Sequence, residues 1–137
     1  MNSTHVWRKV ASTISLGDQR HSLISMQEIM GIAELKGIRG LDELSPVHMQ
    51  VLARIYAKGQ DEPRLIGAYI GIDENEVFTF LDCLERMSLV EADATVYKVT
   101  VKGEEAVKKV GEILIEEDSF KLKQHLKEVE KIRGKFV

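Results

Sequence analysis

Between residues 63 and 86, apolar positions recur at helical spacing on both sides of one glycine. This spacing predicts two short amphipathic helices. Gly71 separates them and can adopt the left-handed conformation that ends a helix. Asp73 and Glu76 predict a capping box at the start of the second helix. Before the glycine, Leu65, Ile66 and Ile70 recur at this spacing. The residues expected on the buried side of the second helix are Ile72, Val77, Phe80, Leu81 and Leu84. The pattern therefore predicts a helix-turn-helix motif, in which the small Gly67 lets the two helices cross closely.

The segments on either side of the motif extend it into a recognisable order of elements. Upstream, residues 45–59 predict a capped helix with Pro46 in its first turn. Downstream, residues 89–92 and 96–101 are strand-like, and a short turn at 93–95 would pair them as a hairpin. A helix, a helix-turn-helix and a hairpin, in that order, are typical of a winged-helix domain.

These same residues resemble a known family. The runs LSPVHMQVLARI, LIGAYIGIDENEVFTFLDCLERMSLVE and VYKVTVKGEEAV are similar to the winged helix-turn-helix transcription regulators of the MarR and related PadR-like type. In that family a Leu-Thr-Pro-like start opens the helix before the motif. A Leu-Thr-x-x-Gly-like run closes the wing, and residues 99–103 stand in for it here. The resemblance covers about residues 44–103 and implies a mainly α fold with a small β-hairpin wing, DNA binding and a dimer built by helices at both ends.

The chain accordingly divides into a winged helix-turn-helix domain at residues 45–103 and two flanking regions for dimerisation, 1–44 and 104–137. The first fifteen or so residues are rich in Ser and Thr and fit a short strand, an arm around a partner subunit or a frayed terminus. Residues 18–36 predict a helix with a broad apolar face. That breadth fits burial on two sides within one chain or a dimer interface, and we favour the dimer.

After the wing, residues 104–115 predict a helix, and the run 116–119 predicts its end. A last helix is expected to follow through about Arg133. Its apolar positions form a narrow seam between dense charges, at Phe120, Leu122, Leu126, Val129, Ile132 and Phe136. Such a seam suits pairing with another helix, either the first helix or its counterpart in a second chain.

Composition excludes several classes of protein. A chain of 137 residues with 44% hydrophobic content fits one compact domain with peripheral helices. It has no apolar run of bilayer length and no signal-like stretch at its N-terminus, so we expect a cytoplasmic protein with no membrane partner. The single cysteine, Cys83, fits a reducing compartment and is interpreted as a small buried residue rather than a redox switch. Phosphate-binding glycine loops, nucleophile elbows and metal-spaced Cys and His are all lacking, so neither an enzyme nor a cofactor is expected.

Charge adds an obstacle to DNA binding. The net charge is −3, and residues 45–103 hold six basic and nine acidic side chains. Residues 1–44 hold five of each and residues 104–137 eight of each, so all the excess acid lies in the expected DNA-binding domain. Phosphate contacts supply most non-specific affinity, and the sequence therefore predicts weak, salt-sensitive binding unless a dimer doubles the contacts.

A helix-turn-helix places the start of its second helix in the major groove. At that position Asn75 fits a bidentate pair with adenine, and Thr79 fits a phosphate or a thymine methyl group. The basic candidates for backbone contacts are Arg64, Arg86, Lys98 and Lys102, with Arg54 and Lys58 nearby. Asp73, Glu74 and Glu76 bring negative charge to the same helix start. The base-reading residues and the basic residues make double-stranded DNA the expected partner, and the acidic residues oppose DNA binding.

Two functions from different classes remain open. One is a homodimeric DNA-binding regulator, favoured by the intact motif and the family resemblance. The other is a winged-helix module that binds a protein at its acidic recognition helix and at Phe78, and does not bind DNA. The acidic helix and the short, slightly acidic wing tip at 93–95 favour this second function. The aromatic residues Tyr69, Phe78 and Tyr97 fit ordinary packing better than an effector pocket. We favour the regulator.

Overall fold

The computed structural model describes residues 3–16 and 26–134 of the chain. Its elements are α1 (Ser3–Leu16), α2 (Met26–Leu35), a 3-10 turn (Leu41–Glu43), α3 (Pro46–Lys58), α4 (Pro63–Ile70), α5 (Glu74–Arg86), β1 (Val90–Asp93), β2 (Val96–Val99) and α6 (Val101–Gly134). The two strands pair antiparallel, with Val90 opposite Val99. The mainly α fold with one hairpin is confirmed. None of the helices in the described residues is long and apolar enough to cross a membrane.

Helix α3 lies at the centre of the fold. Ser45 is its N-cap and Pro46 occupies its first turn, where the missing N–H of proline costs nothing. The helix packs against α1, α4, α5, α6 and β2. Its buried residues are Met49, Val51, Leu52, Ala53, Ile55 and Tyr56. Each large apolar side chain buried here contributes about 1.5–3 kcal/mol, so α3 is the support on which the other elements rest.

The N-terminal segment is a helix, so its interpretation as a short strand or a frayed terminus was wrong. Its interpretation as an arm around a partner subunit stays a prediction. Helix α1 lies against α3 and α6, and its Ala11 and Ile14 are buried. A Cβ atom on Gly111 of α6 would lie 3.0 Å from the Trp7 ring and 2.9 Å from Val10. The glycine therefore allows α1 and α6 to approach closely, and α1 packs within its own chain.

Helix α2 begins at Met26 in the structure, and residues 18–25 of the predicted helix lie outside the described part of the chain. Ile29, Met30 and Ala33 are buried, and α2 packs against α6 and the 3-10 turn. Part of the broad apolar face is therefore covered by the chain itself. At the end of the helix, Leu35 remains 89% exposed.

Helix α6 is continuous from Val101 to Gly134, so the predicted end at residues 116–119 was wrong. The run contains neither Gly nor Pro, and acidic residues and Ser cost a helix interior only about 0.7 kcal/mol each at most. The Thr100 hydroxyl caps the start of the helix by accepting a hydrogen bond from the Gly103 N–H at 3.0 Å. Gly103 also lies so close to the Leu89 carbonyl that no side chain fits there. This contact gives the closing Thr-x-x-Gly run its physical role.

Candidate nucleic-acid interface

Two glycines shape the turn between α4 and α5. Gly71 ends α4 in the left-handed conformation, with φ 90° and ψ 32°. The N–H groups of Gly71 and Ile72 both donate to the Gly67 carbonyl, at 2.7 Å and 3.0 Å. A Cβ atom on Gly67 would lie 2.7 Å from the Ile72 carbonyl oxygen and 3.2 Å from Val77. The predicted turn at Gly71 and the predicted close crossing at Gly67 are both confirmed.

The start of α5 differs from the prediction. Asp73 is the N-cap residue, but its side chain accepts no capping hydrogen bond from the described residues, so the predicted box with Glu76 was wrong. Asp73, Glu74 and Glu76 all lie exposed at this end. The positive end of the helix dipole stabilises their carboxylates without a specific bond. The first turn of α5 thus presents three solvent-facing acids.

The remaining outer face of α5 carries the predicted reading residues. Val77, Leu81 and Leu84 hold the inner face in the core, while Asn75 and Thr79 are exposed. The Thr79 hydroxyl donates to the Asn75 carbonyl oxygen at 3.3 Å. The start of the helix is therefore open to solvent while its apolar side fixes its position.

The two candidate lysines have partners within the chain. The Lys98 ammonium lies 2.9 Å from an Asp93 carboxylate oxygen at the wing tip. The Lys102 ammonium donates to the Met87 carbonyl oxygen at 2.9 Å, at the C-terminal end of α5. Either lysine must exchange this partner to contact a phosphate.

The candidate arginines fall into two kinds. Arg64 is exposed at the start of α4 and has no hydrogen bond or ion pair with another described residue. Arg86 is exposed at the end of α5, where its Nε donates to the Asp82 carbonyl oxygen at 3.4 Å. Arg54 instead forms a buried ion pair with Asp61 at 3.1 Å, so its interpretation as a nearby backbone contact was wrong.

A shallow hollow of about 350 Å³ joins α4, α5 and the wing tip. It is lined by Glu62, Pro63, Arg64, Glu74, Phe78, Ala94, Thr95 and Tyr97. Phe78 is 41% exposed here, whereas Tyr69 lies elsewhere, with its ring 3.7 Å from the Arg54 guanidinium carbon. Burial, reinforced by Glu85 and Asp82, raises the pKa of Tyr97. The structure thus brings Arg64 together with Glu74, Phe78 and the wing tip, while Arg86 and Lys102 lie at the other end of α5.

Asp61 is the residue that the sequence interpretation missed. It is buried, binds Arg54 and pairs through its main chain with Tyr97 of β2. The available signal was its position two residues before Pro63, which begins α4. An Asp just before a helix start is typically a local cap, and the long-range ion pair could not be inferred from that signal.

Comparison with known proteins identifies the fold. No protein-family model and no curated protein matches the sequence. The structure is similar to the oxidized form of MarR from E. coli, with 16% sequence identity and a TM-score of 0.54. The match covers 86% of this chain and 98% of that chain. An identity this low establishes the fold alone. The chain therefore has the MarR-like winged-helix fold that its sequence resemblance predicted.

Proposed function

We propose that the protein is a DNA-binding transcriptional regulator that acts in the cytoplasm as a homodimer, through its winged helix-turn-helix. The observation that carries the proposal is the presentation of α5. Its apolar side is buried at Val77, Leu81 and Leu84, and its N-terminal half is open to solvent. A helix held in this way fits the major groove of B-DNA. Asn75 is assigned to a base edge, and Thr79 to a phosphate or a thymine methyl group.

The phosphate contacts are assigned to Arg64, Arg86, Lys98 and Lys102. An exposed ion pair such as Lys98–Asp93 contributes about 1 kcal/mol or less, so a phosphate can replace the carboxylate. The acids at the start of α5 oppose this attraction. One subunit is therefore expected to bind weakly, and the dimer to bind by doubling the number of contacts.

The C-terminal half of α6 supports the homodimer. Phe120, Leu126 and Ile132 are each more than half exposed on a helix that extends beyond the rest of the domain. Most of a helix's stability in a protein comes from packing of its apolar face, so a second copy that covers these positions would stabilise the helix. Two-fold symmetry then places the two α5 helices at half-sites about one helical turn apart.

The test is a titration of the folded dimer with random-sequence duplex DNA, followed by fluorescence anisotropy. We expect binding at about 50 mM salt and a loss of affinity of about 10³-fold or more at about 200 mM salt. Sedimentation velocity in the same buffer checks that the protein is dimeric. A dimer that does not bind DNA at the lower salt contradicts the proposal. The acidic face of α5 and Phe78 would then favour a protein partner instead.

Substitutions separate the two kinds of contact. Asn75→Ala is expected to relax base preference by about 1–3 kcal/mol at one position of the site. Lys98→Ala is expected to weaken all sequences alike and to reduce the salt slope by about 1 for each subunit. Lys108→Ala is the matched control, because it removes the same charge and an exposed ion pair of the same length, with Glu104 at 2.9 Å, from the half of α6 that packs within the domain. A change in base preference with Lys98→Ala, or an equal loss with Lys108→Ala, contradicts the assignment.

A further inference from the structure

We propose that the Arg54–Asp61 ion pair is a positioning device that fixes the wing relative to the start of α4. Arg64 at the start of α4 and Lys98 on the wing then reach the same DNA duplex together. This inference rests on the proposed function for its DNA readout, and it has a structural readout of its own.

The pair is buried and held on both sides. The Arg54 Nε donates to an Asp61 carboxylate oxygen at 3.1 Å, and the two side chains are 16% and 3% exposed. The Tyr69 ring packs against the guanidinium, and its centroid lies 3.7 Å from the Arg54 guanidinium carbon. Removal of one partner from a buried ion pair strongly destabilises the folded protein. The position of Asp61 is therefore fixed by α3, which carries Arg54, and by α4, which carries Tyr69.

Asp61 also forms hydrogen bonds with the start of α4 and with the wing. Its second carboxylate oxygen accepts a hydrogen bond from the Glu62 N–H at 2.9 Å, directly before α4. Its own N–H donates to the Tyr97 carbonyl oxygen at 3.1 Å, and its carbonyl oxygen accepts from the Tyr97 N–H at 2.9 Å. Tyr97 precedes Lys98 on β2. One buried residue thus joins the start of α4, through its side chain, to the strand that carries the basic residue of the wing, through its main chain.

The wing is small, and the ion pair adds a tie to its contacts with α3, α5 and α6. Each strand has four residues, and a two-stranded hairpin of this size does not hold its own geometry in water. The Asp61–Tyr97 bridge lies outside the β1–β2 ladder and adds a third segment to it. Loss of the ion pair is expected to free the hairpin to move relative to α4 while the apolar core stays packed.

The first test is hydrogen exchange on Asp61→Asn. Asparagine has the same shape and can still accept the Glu62 N–H, but it removes the charge that pairs with Arg54. We expect the amides of residues 61 and 97 to exchange about tenfold faster or more, while the α3 amides stay protected. Glu104→Gln is the matched control, because it breaks the exposed ion pair with Lys108 at 2.9 Å, which does not join the wing to α4. The control is expected to leave both amides unchanged.

The second test is a double-mutant cycle on DNA affinity at low salt. If Asp61 acts by placing Lys98, Lys98→Ala weakens binding in the wild-type protein and has less than half of that fold-effect in Asp61→Asn. Arg64→Ala, which removes a contact on α4 itself, is expected to have its full effect in both backgrounds. An undiminished effect of Lys98→Ala contradicts the inference.

The outcomes separate positioning from plain stability. If Asp61→Asn lowers the melting temperature but leaves the amides of residues 61 and 97 protected, the pair only stabilises the fold and the inference is overturned. If Asp61→Asn does not fold, the same measurements are made on Arg54→Lys. This variant keeps the charge but loses the planar group that stacks on Tyr69. If wild-type protein binds no DNA, the proposed function fails, and the exchange experiment still decides whether the pair fixes the wing.

Discussion

The two halves of α6 differ in what covers them. In the packed half, residues 101–117, the side chains of Ala106, Val107, Val110 and Ile113 are buried, and the helix contacts α1, α2 and α3. In the projecting half, residues 118–134, Phe120, Leu126 and Ile132 are 57%, 52% and 56% exposed. Both halves belong to one helix and both carry apolar residues at helical spacing. The spacing therefore predicts where an apolar face lies, but the fold decides whether the same chain covers it.

The largest expected effect is that of Ile113→Ala in the packed half. Ile113 is 1% exposed, so truncation leaves a cavity and lowers the free energy of unfolding by about 2–5 kcal/mol. Ile132→Ala makes the same change in the projecting half, where we expect about 0.5 kcal/mol or less in the monomer. Urea denaturation at a concentration low enough for the chain to be monomeric measures both. Equal losses would break the comparison.

A second, smaller contrast comes from two glycines of the same helix. A Cβ atom on Gly103 would collide with the Leu89 carbonyl, so Gly103→Ala is expected to cost about 1–3 kcal/mol. Gly134, at the opposite end, has no described atom within 4 Å of a Cβ position. Gly134→Ala is therefore expected to be neutral or slightly stabilising, and thermal melts of the two variants test the difference. A neutral Gly103→Ala would contradict the close approach.

For the projecting half, the expected effect is on association. Leu126→Glu places a charge in the exposed seam, and the dissociation constant of the proposed dimer is expected to rise about tenfold, or 1.4 kcal/mol. Sedimentation equilibrium measures it, with Lys127→Ala on the neighbouring exposed position as the control. An unchanged dimer in Leu126→Glu would show that this half is not the interface.

The smallest expected effect is that of acid on the cap of α3, the helix on which the packed half of α6 rests. The His48 Nδ1 accepts a hydrogen bond from the Ser45 N–H at 3.0 Å, which a protonated ring cannot do. Burial lowers the pKa of His48 below its ordinary 6.5. The capping contribution is therefore complete above pH 6.5 and is lost as the pH falls through the lower folded-state value, since the unfolded chain takes up the proton first.

Between about pH 7.5 and about pH 5.5, we expect the free energy of unfolding to fall from this cause by less than the roughly 1 kcal/mol that a helix cap contributes. His48→Gln is the control, because Gln at this position keeps a capping box with Ser45 and does not titrate. Urea denaturation at both pH values compares the two proteins. An equal fall in both would assign the pH dependence to other groups.

The sequence predicted those parts of the fold that have local signals. Gly71 was predicted to end α4 and does so, and Pro63 begins the same helix. Helix α1 was missed because its Ser and Thr residues are weak helix formers. It forms by packing Ala11 and Ile14 against its neighbours, which no local pattern reveals. At residues 116–119 the error was the opposite one. The polar residues there predicted the end of a helix, but the helix continues through them.

The candidate site was predicted in part. Exposure of Asn75 and Thr79 follows from helical spacing and is confirmed. The partners of the cations could not be predicted, because Lys98 meets Asp93 and Arg54 meets Asp61 only after the chain has folded. Arg54 is the clearest case, because in the sequence it is one basic residue among several near the motif. In the structure it belongs to the interior.

Because α6 is one long helix, a movement at one of its ends is coupled to a movement at the other. The helix starts directly after β2 and its 34 residues span about 50 Å. A stiff rod of that length turns a tilt of about 10° into a displacement of about 9 Å at its tip. In the proposed dimer, any change in the angle at which the two tips cross must therefore alter the separation of the two wings. In that proposed dimer, the crossing of the two tips would set the span between half-sites, far from the DNA.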